Sequence, residues 1–159
     1  VEEECLKILA LHQPVAADLR FIVAALKMNN DLERIGDQAV NIAHKADRLA
    51  GVPALPVAFD FGEMASRTRA MLKKALDAMV NSDVTLAREV CAADDAIDQM
   101  KRDLRREVVK AIQEQPARTD DLISLLGVSR NLERIADLAT NIAEDVIYMA
   151  EGEIVRHSL

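Results

Sequence analysis

An all-α fold, built from two copies of one helical unit, is what this 159-residue sequence predicts. The first observation is a repeat. Residues 31–43 read DLERIGDQAVNIA and residues 131–143 read NLERIADLATNIA, identical at nine of thirteen positions one hundred residues apart. Self-similarity of that kind marks a duplicated structural unit. The second observation is composition. Half the residues are apolar, yet the aromatics are only Phe21, Phe59, Phe61 and Tyr148, with few Gly and Pro. A core of Leu, Ile, Val, Ala and Met favours helices over strands. The third is spacing, because apolar positions recur with helical periodicity along nearly the whole chain.

The elements follow in order. Val1 to about His12 reads as a short amphipathic helix, with Leu6, Leu9 and Ala10 at helical spacing. Gln13 and Pro14 interrupt it, since proline lacks a donor and restricts the residue before it. A long helix is expected from about Val15 to Ala50, its apolar stripe running through Leu32, Ile35, Ala39, Ile42, Ala46 and Leu49. GVPALP, residues 51–56, is the one clear linker: Gly follows a helix end and Pro comes soon after. Asp60 and Glu63 form an N-cap and N3 pair that opens a helix over about Phe61 to Val80. Asn81, Ser82 and Asp83 make a turn. The next helix runs from about Val84 to Glu114, with Leu86, Val90, Ile97, Met100, Leu104, Val108 and Ala111 inward. Gln115 to Asp120 repeats the Gln-Pro break, and the last helix covers about Asp121 to Glu151.

Aligning the copies divides the chain into three parts. Residues 60–159 hold a complete three-helix repeat, and residues 51–59 are a linker. Residues 1–50 hold a partial first repeat, the end of a middle helix plus one complete long helix. Such a hairpin leaves a large apolar face wet, and faces of that kind seek partners. Two readings are open: the first half pairs with a second copy of the chain as a homodimer, or further helices precede Val1 in the natural protein.

Charge and apolar runs exclude some functions. A net charge of −7 argues against nucleic acid, whose phosphates need a basic face. FIVAAL and LISLLGV are the longest apolar runs, far short of the roughly 20 residues of a membrane span, so no membrane insertion is expected. Cys5 and Cys91 sit in helical patterns without metal-type spacing and read as reduced thiols of a cytoplasmic protein.

The residues with chemical potential are acids. Glu33 with Asp37, and Glu133 with Asp137, stand one helical turn apart, which places each pair on one face about 6 Å apart along the axis. Asn41 and Asn141 extend each line by a neutral oxygen. Asp94 and Asp98 repeat the spacing on the middle helix of the second copy. Clustered carboxylates from neighbouring helices suit oxygen-seeking cations such as magnesium, manganese or iron. A solvated acidic face uses the same letters. On a helical wheel centred on Ile135 the apolar stripe lies near 30°, while Glu133 and Asp137 lie near 160° and 200°, hence outward. Asp94 and Asp98 fall on the shoulder of their stripe. Arg34 and Arg134 pair with these acids or bind phosphate. His12, His44 and His157 are scattered, and no Glu-x-x-His pair of the ferritin-like kind is present. No phosphate loop or nucleophile–base set stands out.

The phrases QPVAADLR (13–20), DLERIGDQAVNIA and NLERIADLATNIA resemble the PhoU family of bacterial phosphate-signalling regulators, over nearly the whole chain. The resemblance implies tandem three-helix bundles, the first incomplete here, and E(D)xxxD motifs that bind metal clusters (iron, zinc, manganese or magnesium) on the bundle surface. Carried over by position, the motifs fall on Glu33 and Asp37, Asp94 and Asp98, and Glu133 and Asp137. A fourth pair is expected before Val1, so the first-copy site lacks half its ligands. The resemblance also implies a cytoplasmic negative regulator and no enzyme. It acts as an adaptor between the phosphate ABC transporter ATPase and a sensor histidine kinase. Two other readings remain from the sequence: a di-metal carboxylate enzyme, and a PhoU-like soluble module of a phosphate transporter.

Overall fold

The computed structural model describes residues 1–152, which form five α-helices and, among the described residues, no strand. These are α1 (Glu2–His12), α2 (Ala16–Ala50), α3 (Phe61–Asn81), α4 (Val84–Glu114) and α5 (Thr119–Glu151). Each predicted helix is present, with ends within about two residues of the expected positions.

Local chemistry sets those ends. The Asp60 carboxylate accepts the Glu63 N–H at 2.8 Å, capping α3, and Asp83 accepts from Leu86 at 3.0 Å, capping α4. Each cap satisfies a backbone donor that the first helical turn cannot. Pro116 converts the second Gln-Pro break into one 3-10 turn, Pro116–Arg118. Arg118 then donates to the Pro53 carbonyl at 2.7 Å and pairs with Asp121 at 3.1 Å. The linker is therefore held down rather than loose. Leu55, Val57, Phe59 and Phe61 cover a small apolar cluster of Leu104, Val108, Ala111 and Leu122.

Helices α3, α4 and α5 pack against one another as a three-helix bundle, while α2 lies along α5 and α1 touches only α2. The centre of the molecule is thus α5. Its contact with three helices buries Leu132, Ile135, Ala136, Leu138, Ala139, Thr140, Ile142 and Ala143 in succession. The small side chains among them let the neighbouring helices approach closely. A stripe centred near 30° describes this helix poorly, because a helix covered on three sides hides most of its circumference.

Helix α2 corrects the expected stripe in the other direction. Ile35 is buried and Ile42 and Leu49 are partly buried, but Leu32, Ala39 and Ala46 are exposed. Only one side of α2 meets α5, so half of its apolar stripe faces water. The residues that line the contact are Ala24, Met28, Asp31 and Ile35. Leu11, Val15 and Phe21 are also open, Phe21 being 62% exposed, which agrees with the wet face anticipated for residues 1–50. Both cysteines are free, Cys5 buried and Cys91 partly so. Burial first, and then the Glu144 charge, raises the Cys91 thiol above its ordinary value. It is a packing residue without thiolate character.

Candidate functional site

Two acidic pairs face each other across the seam between α4 and α5. Asp94 and Asp98 project from α4, and Glu133 and Asp137 from α5, each pair one turn apart. Lys101, one turn beyond Asp98, donates across the seam to the Glu133 carboxylate, and Arg102 reaches Asp98 at 3.3 Å. The Asp137 carboxyl is pushed up to about 6. Partial shielding from water is the first cause, followed by the negative charges of Glu133, Asp94 and Asp98, with Lys101 opposing them. Asp137 is exposed as a residue, so solvent tempers the shielding; the like charges on two packed helices are the part that the geometry supports independently.

The outward placement expected for these acids holds for Asp137 and not for Glu133, whose side chain is 14% exposed. Lys101 explains the difference: its charge lets Glu133 lie against the seam instead of pointing to water. Asp94 and Asp98 are partly buried at the seam, as their shoulder positions indicated.

The first-copy acids are placed differently. Glu33, Asp37 and Asn41 are exposed on α2, which touches neither α3 nor α4, so no second helix brings acids to Glu33. Asp37 instead lines a cleft of about 640 Å³ between α2 and α5, together with Arg34, Gln38, Arg134, Asp137, Leu138 and Asn141. The duplicated phrases meet here. Asn141 therefore belongs to the α2–α5 cleft and Glu133 to the α4 side, while Asp137 borders both. His12 and His44 are exposed on α1 and α2; His157 lies outside the described residues.

A second polar cleft continues from Asn141 to Lys27, Asn30, Asp31, Glu144 and Asp145. Lys27 Nζ donates to Asp145 at 3.1 Å, and Arg34 to Asp31 at 3.3 Å. Burial is the first cause that raises the carboxyls of both Asp31 and Asp145. At the opposite end of α2, the Lys45 stem lies on Gly127: an added Cβ there would sit 2.6 Å from Lys45 Cε. Early α2 thus meets late α5 and late α2 meets early α5, so the two helices run antiparallel. Lys27 and Gly127 are equivalent in the repeat, as are Lys45 and Asp145. One end of the contact uses an ion pair, and the other uses a glycine to accept a lysine stem.

Sequence reasoning missed Lys101, Lys27, Asp31 and Asp145. A signal existed for two of them. Asp145 extends the line 133, 137, 141 by one more turn, and Lys101 stands three and seven residues after Asp98 and Asp94.

By residue type the α4–α5 seam offers four carboxylates, whose mutual repulsion a cation would relieve. The side chains are not gathered around a point: among the described residues, no three His, Cys, Asp or Glu converge on one metal position. Lys101 and Arg102 hold Glu133 and Asp98 instead, so an ion has to displace both cations.

The PhoU domain model matches residues 1–46 and 61–146. The chain belongs to the PhoU family. A Deinococcus radiodurans relative, a phosphate-specific transport system accessory protein PhoU homolog, is 38% identical over 152 residues. That alignment covers 96% of this chain and 71% of the relative. A Pseudomonas putida relative of the same description is 40% identical, and the chain spans 99% of itself but 62% of that protein. The crystal structure of PhoU from Pseudomonas aeruginosa superposes with a TM-score of 0.89 at 38% identity, covering 96% of this chain and 73% of that one. PhoU from Streptococcus pneumoniae, a phosphate transport system regulatory protein, gives 0.84 at 28% identity, with 98% and 73% covered. The all-α PhoU-like fold is confirmed. Those relatives are named as accessory and regulatory proteins, and the chain belongs to that regulatory family rather than to a family of enzymes.

Proposed function

We propose that this chain is a regulatory accessory protein of phosphate transport that binds metal through surface carboxylates and acts as an adaptor. The observation that carries the metal reading is the meeting of Asp94 and Asp98 with Glu133 and Asp137 across the α4–α5 seam. The assignment to phosphate transport draws on the descriptions of its relatives. The partners proposed are the transporter ATPase and a sensor histidine kinase, in the cytoplasm, with negative regulation as the outcome. Among the described residues, no helix is long and apolar enough to cross a membrane.

Asp94, Asp98, Glu133 and Asp137 are the residues that would hold the ion, by exchanging their contacts with Lys101 and Arg102 for the metal. The ion would supply fixed positive charge on an otherwise acidic face. Glu33, Asp37 and Asn41 form a weaker, first-copy counterpart, with Asn141 between the two. Regulation in this scheme is a change of bound partner, which requires a differential affinity of the partner for two states. The apolar face of α1 and early α2, with Leu11, Val15 and Phe21, supports homodimer formation through that surface.

Elemental analysis of chelator-free protein tests the metal reading, with iron, zinc, manganese or magnesium expected. Asp98→Asn and Asp137→Asn should lose it while helicity stays unchanged; full retention overturns this site. Association with the transporter ATPase and the kinase under high phosphate tests the adaptor role, and its absence removes that role.

A further inference from the structure

Helix α5 is open to water along one narrow strip. Between residues 121 and 140, all of them described, its exposed residues are Ile123, Arg130, Arg134 and Asp137. With Gly127 they step by four, three, four and three, the spacing of a single line along a helix. Helix α2 walls the strip on one side, where the Lys45 stem lies on Gly127, and α4 walls the other, where Lys101 meets Glu133. The two walls do not touch each other. The strip is therefore the floor of a groove.

We propose that the half of this groove nearest the start of α5 docks an acidic peptide segment of a partner protein. Its carboxylates meet Arg105, Arg130 and Arg134, and an apolar side chain lies between Val109 and Ile123. The proposal deepens the adaptor reading, from which it takes only that the partner is a protein, and it needs no metal.

The register of α4 against α5 supplies the pattern. Arg88 pairs with Glu151 and Lys101 with Glu133, so the two helices run antiparallel. On α4, Asp94, Asp98, Lys101, Arg105 and Val109 form a line that steps by three or four. Advancing along it from Lys101 brings Arg105 level with Arg130, and Val109 within a turn of Ile123. Like groups thus fall beside like: acids at one end of the groove, cations in the middle, apolar side chains at the far end. Val109 and Ile123 are 47% and 54% exposed; outside residues 1–50, Val80 is the one other large apolar residue so open among the described residues. Arg105, Arg130 and Arg134 pair with no carboxylate among the described residues, and Lys45 adds positive charge at the α2 wall. Cations gathered in this way on a chain of net charge −7 repel one another until an anionic partner separates their fields.

The neighbouring acids narrow the class of partner. A bilayer is a broad anionic sheet and would press against Asp94, Asp98 and Asp137 as well as the arginines. Nucleic acid would meet the same acids along its backbone. A short acidic segment ends before that band. Its carboxylates accept from the guanidinium forks, and its apolar residue covers Val109 and Ile123.

The test is fluorescence anisotropy of a labelled glutamate–leucine peptide titrated with the full chain in chelator, with a lysine–leucine peptide of equal length as control. The acidic peptide is expected to bind at least about tenfold more tightly than the basic one and to weaken as salt is raised. Arg105→Gln and Arg130→Gln should each weaken it by about threefold, the scale of one exposed ion pair. The Arg105→Glu/Arg130→Glu double variant should weaken it by about tenfold or more. Arg69→Glu, a charge reversal at an exposed position of α3, should bind as the parent does, with circular dichroism confirming that every variant stays helical. Equal affinity for the two peptides overturns the proposal, as does a double variant that binds normally. Phosphatidylserine vesicles that bind in place of the peptide, with the same losses in the variants, overturn it in favour of a lipid surface. Pull-down separates the groove from the adaptor reading. A double variant that loses the peptide yet still associates with the transporter ATPase and the kinase overturns the groove and spares the adaptor role. A parent chain that binds the peptide with the expected losses, but neither protein, removes the adaptor role and keeps the groove.

Discussion

The two LERI phrases share sequence and helix type, yet they stand in different surroundings. On α5 the phrase is wrapped by α2, α3 and α4; on α2 it rests against α5 alone. Leu132 is 7% exposed and its repeat partner Leu32 is 39% exposed. Glu133 lies in a seam against Lys101, and Glu33 stands in water. Identical letters therefore carry packing and a shared charge cluster in one copy, and a mostly solvated surface in the other. Duplication copied the side chains, while the neighbours decide what they do.

The largest contrast should come from the core. Leu132→Ala is expected to cost roughly 2–4 kcal/mol and Leu32→Ala under about 1 kcal/mol, because only the first opens a cavity. Chemical denaturation of both variants measures the gap, and equal losses would erase the distinction between the copies. Next comes metal. Asp98→Asn should lower manganese affinity by about tenfold or more, whereas Glu33→Gln, on the copy without an opposing acidic helix, should change it by less than about twofold. Calorimetric titration of the two variants sharpens the comparison, and a larger loss in Glu33→Gln would invert it.

The third prediction concerns pH. A carboxyl whose folded-state midpoint lies above the ordinary 3.8 binds its proton more readily in the native chain. Its stabilising contribution is complete below about pH 3.8 and is lost as the pH rises through about 6. In chelator, Asp137→Asn should therefore be more stable than the parent above pH 6. The gain should be no more than about 1 kcal/mol after solvent screening, and it should vanish below about pH 4. Thermal melts at pH 4 and pH 7.5 check the sign. The smallest effects belong to the antiparallel contact of α2 and α5. Lys27→Met removes one partly exposed ion pair and should cost about 1 kcal/mol or less. Gly127→Ala should be near neutral, since the far end of Lys45 can swing aside and Ala favours the helix.

Most of the fold was legible before any coordinates. The Gln-Pro breaks, the Asp60 and Asp83 caps and the GVPALP linker each act through local chemistry, and local chemistry is written in adjacent residues. The faces of the helices were less legible. Periodicity along α2 marked Leu32 and Ala46 as apolar, which they are, but it carried no information on how many helices would cover them. The same limit applied to the acids. Spacing paired Glu133 with Asp137 and Asp94 with Asp98, whereas the contact of Lys101 with Glu133 depends on the rotation of α4 against α5. Asn141 was grouped with Glu133 because both follow one line on a single helix, and the three-helix surroundings of α5 send them to different neighbours.

The claim on which the rest depends is that four acids from two helices act on one another at the α4–α5 seam. Carbon-detected NMR titration of the Asp137 carboxyl in metal-free protein measures this directly. A midpoint near 6 is expected, moving down in Asp98→Asn and up in Lys101→Met. A midpoint in the ordinary aspartate range near 4, unmoved by either substitution, would contradict the account.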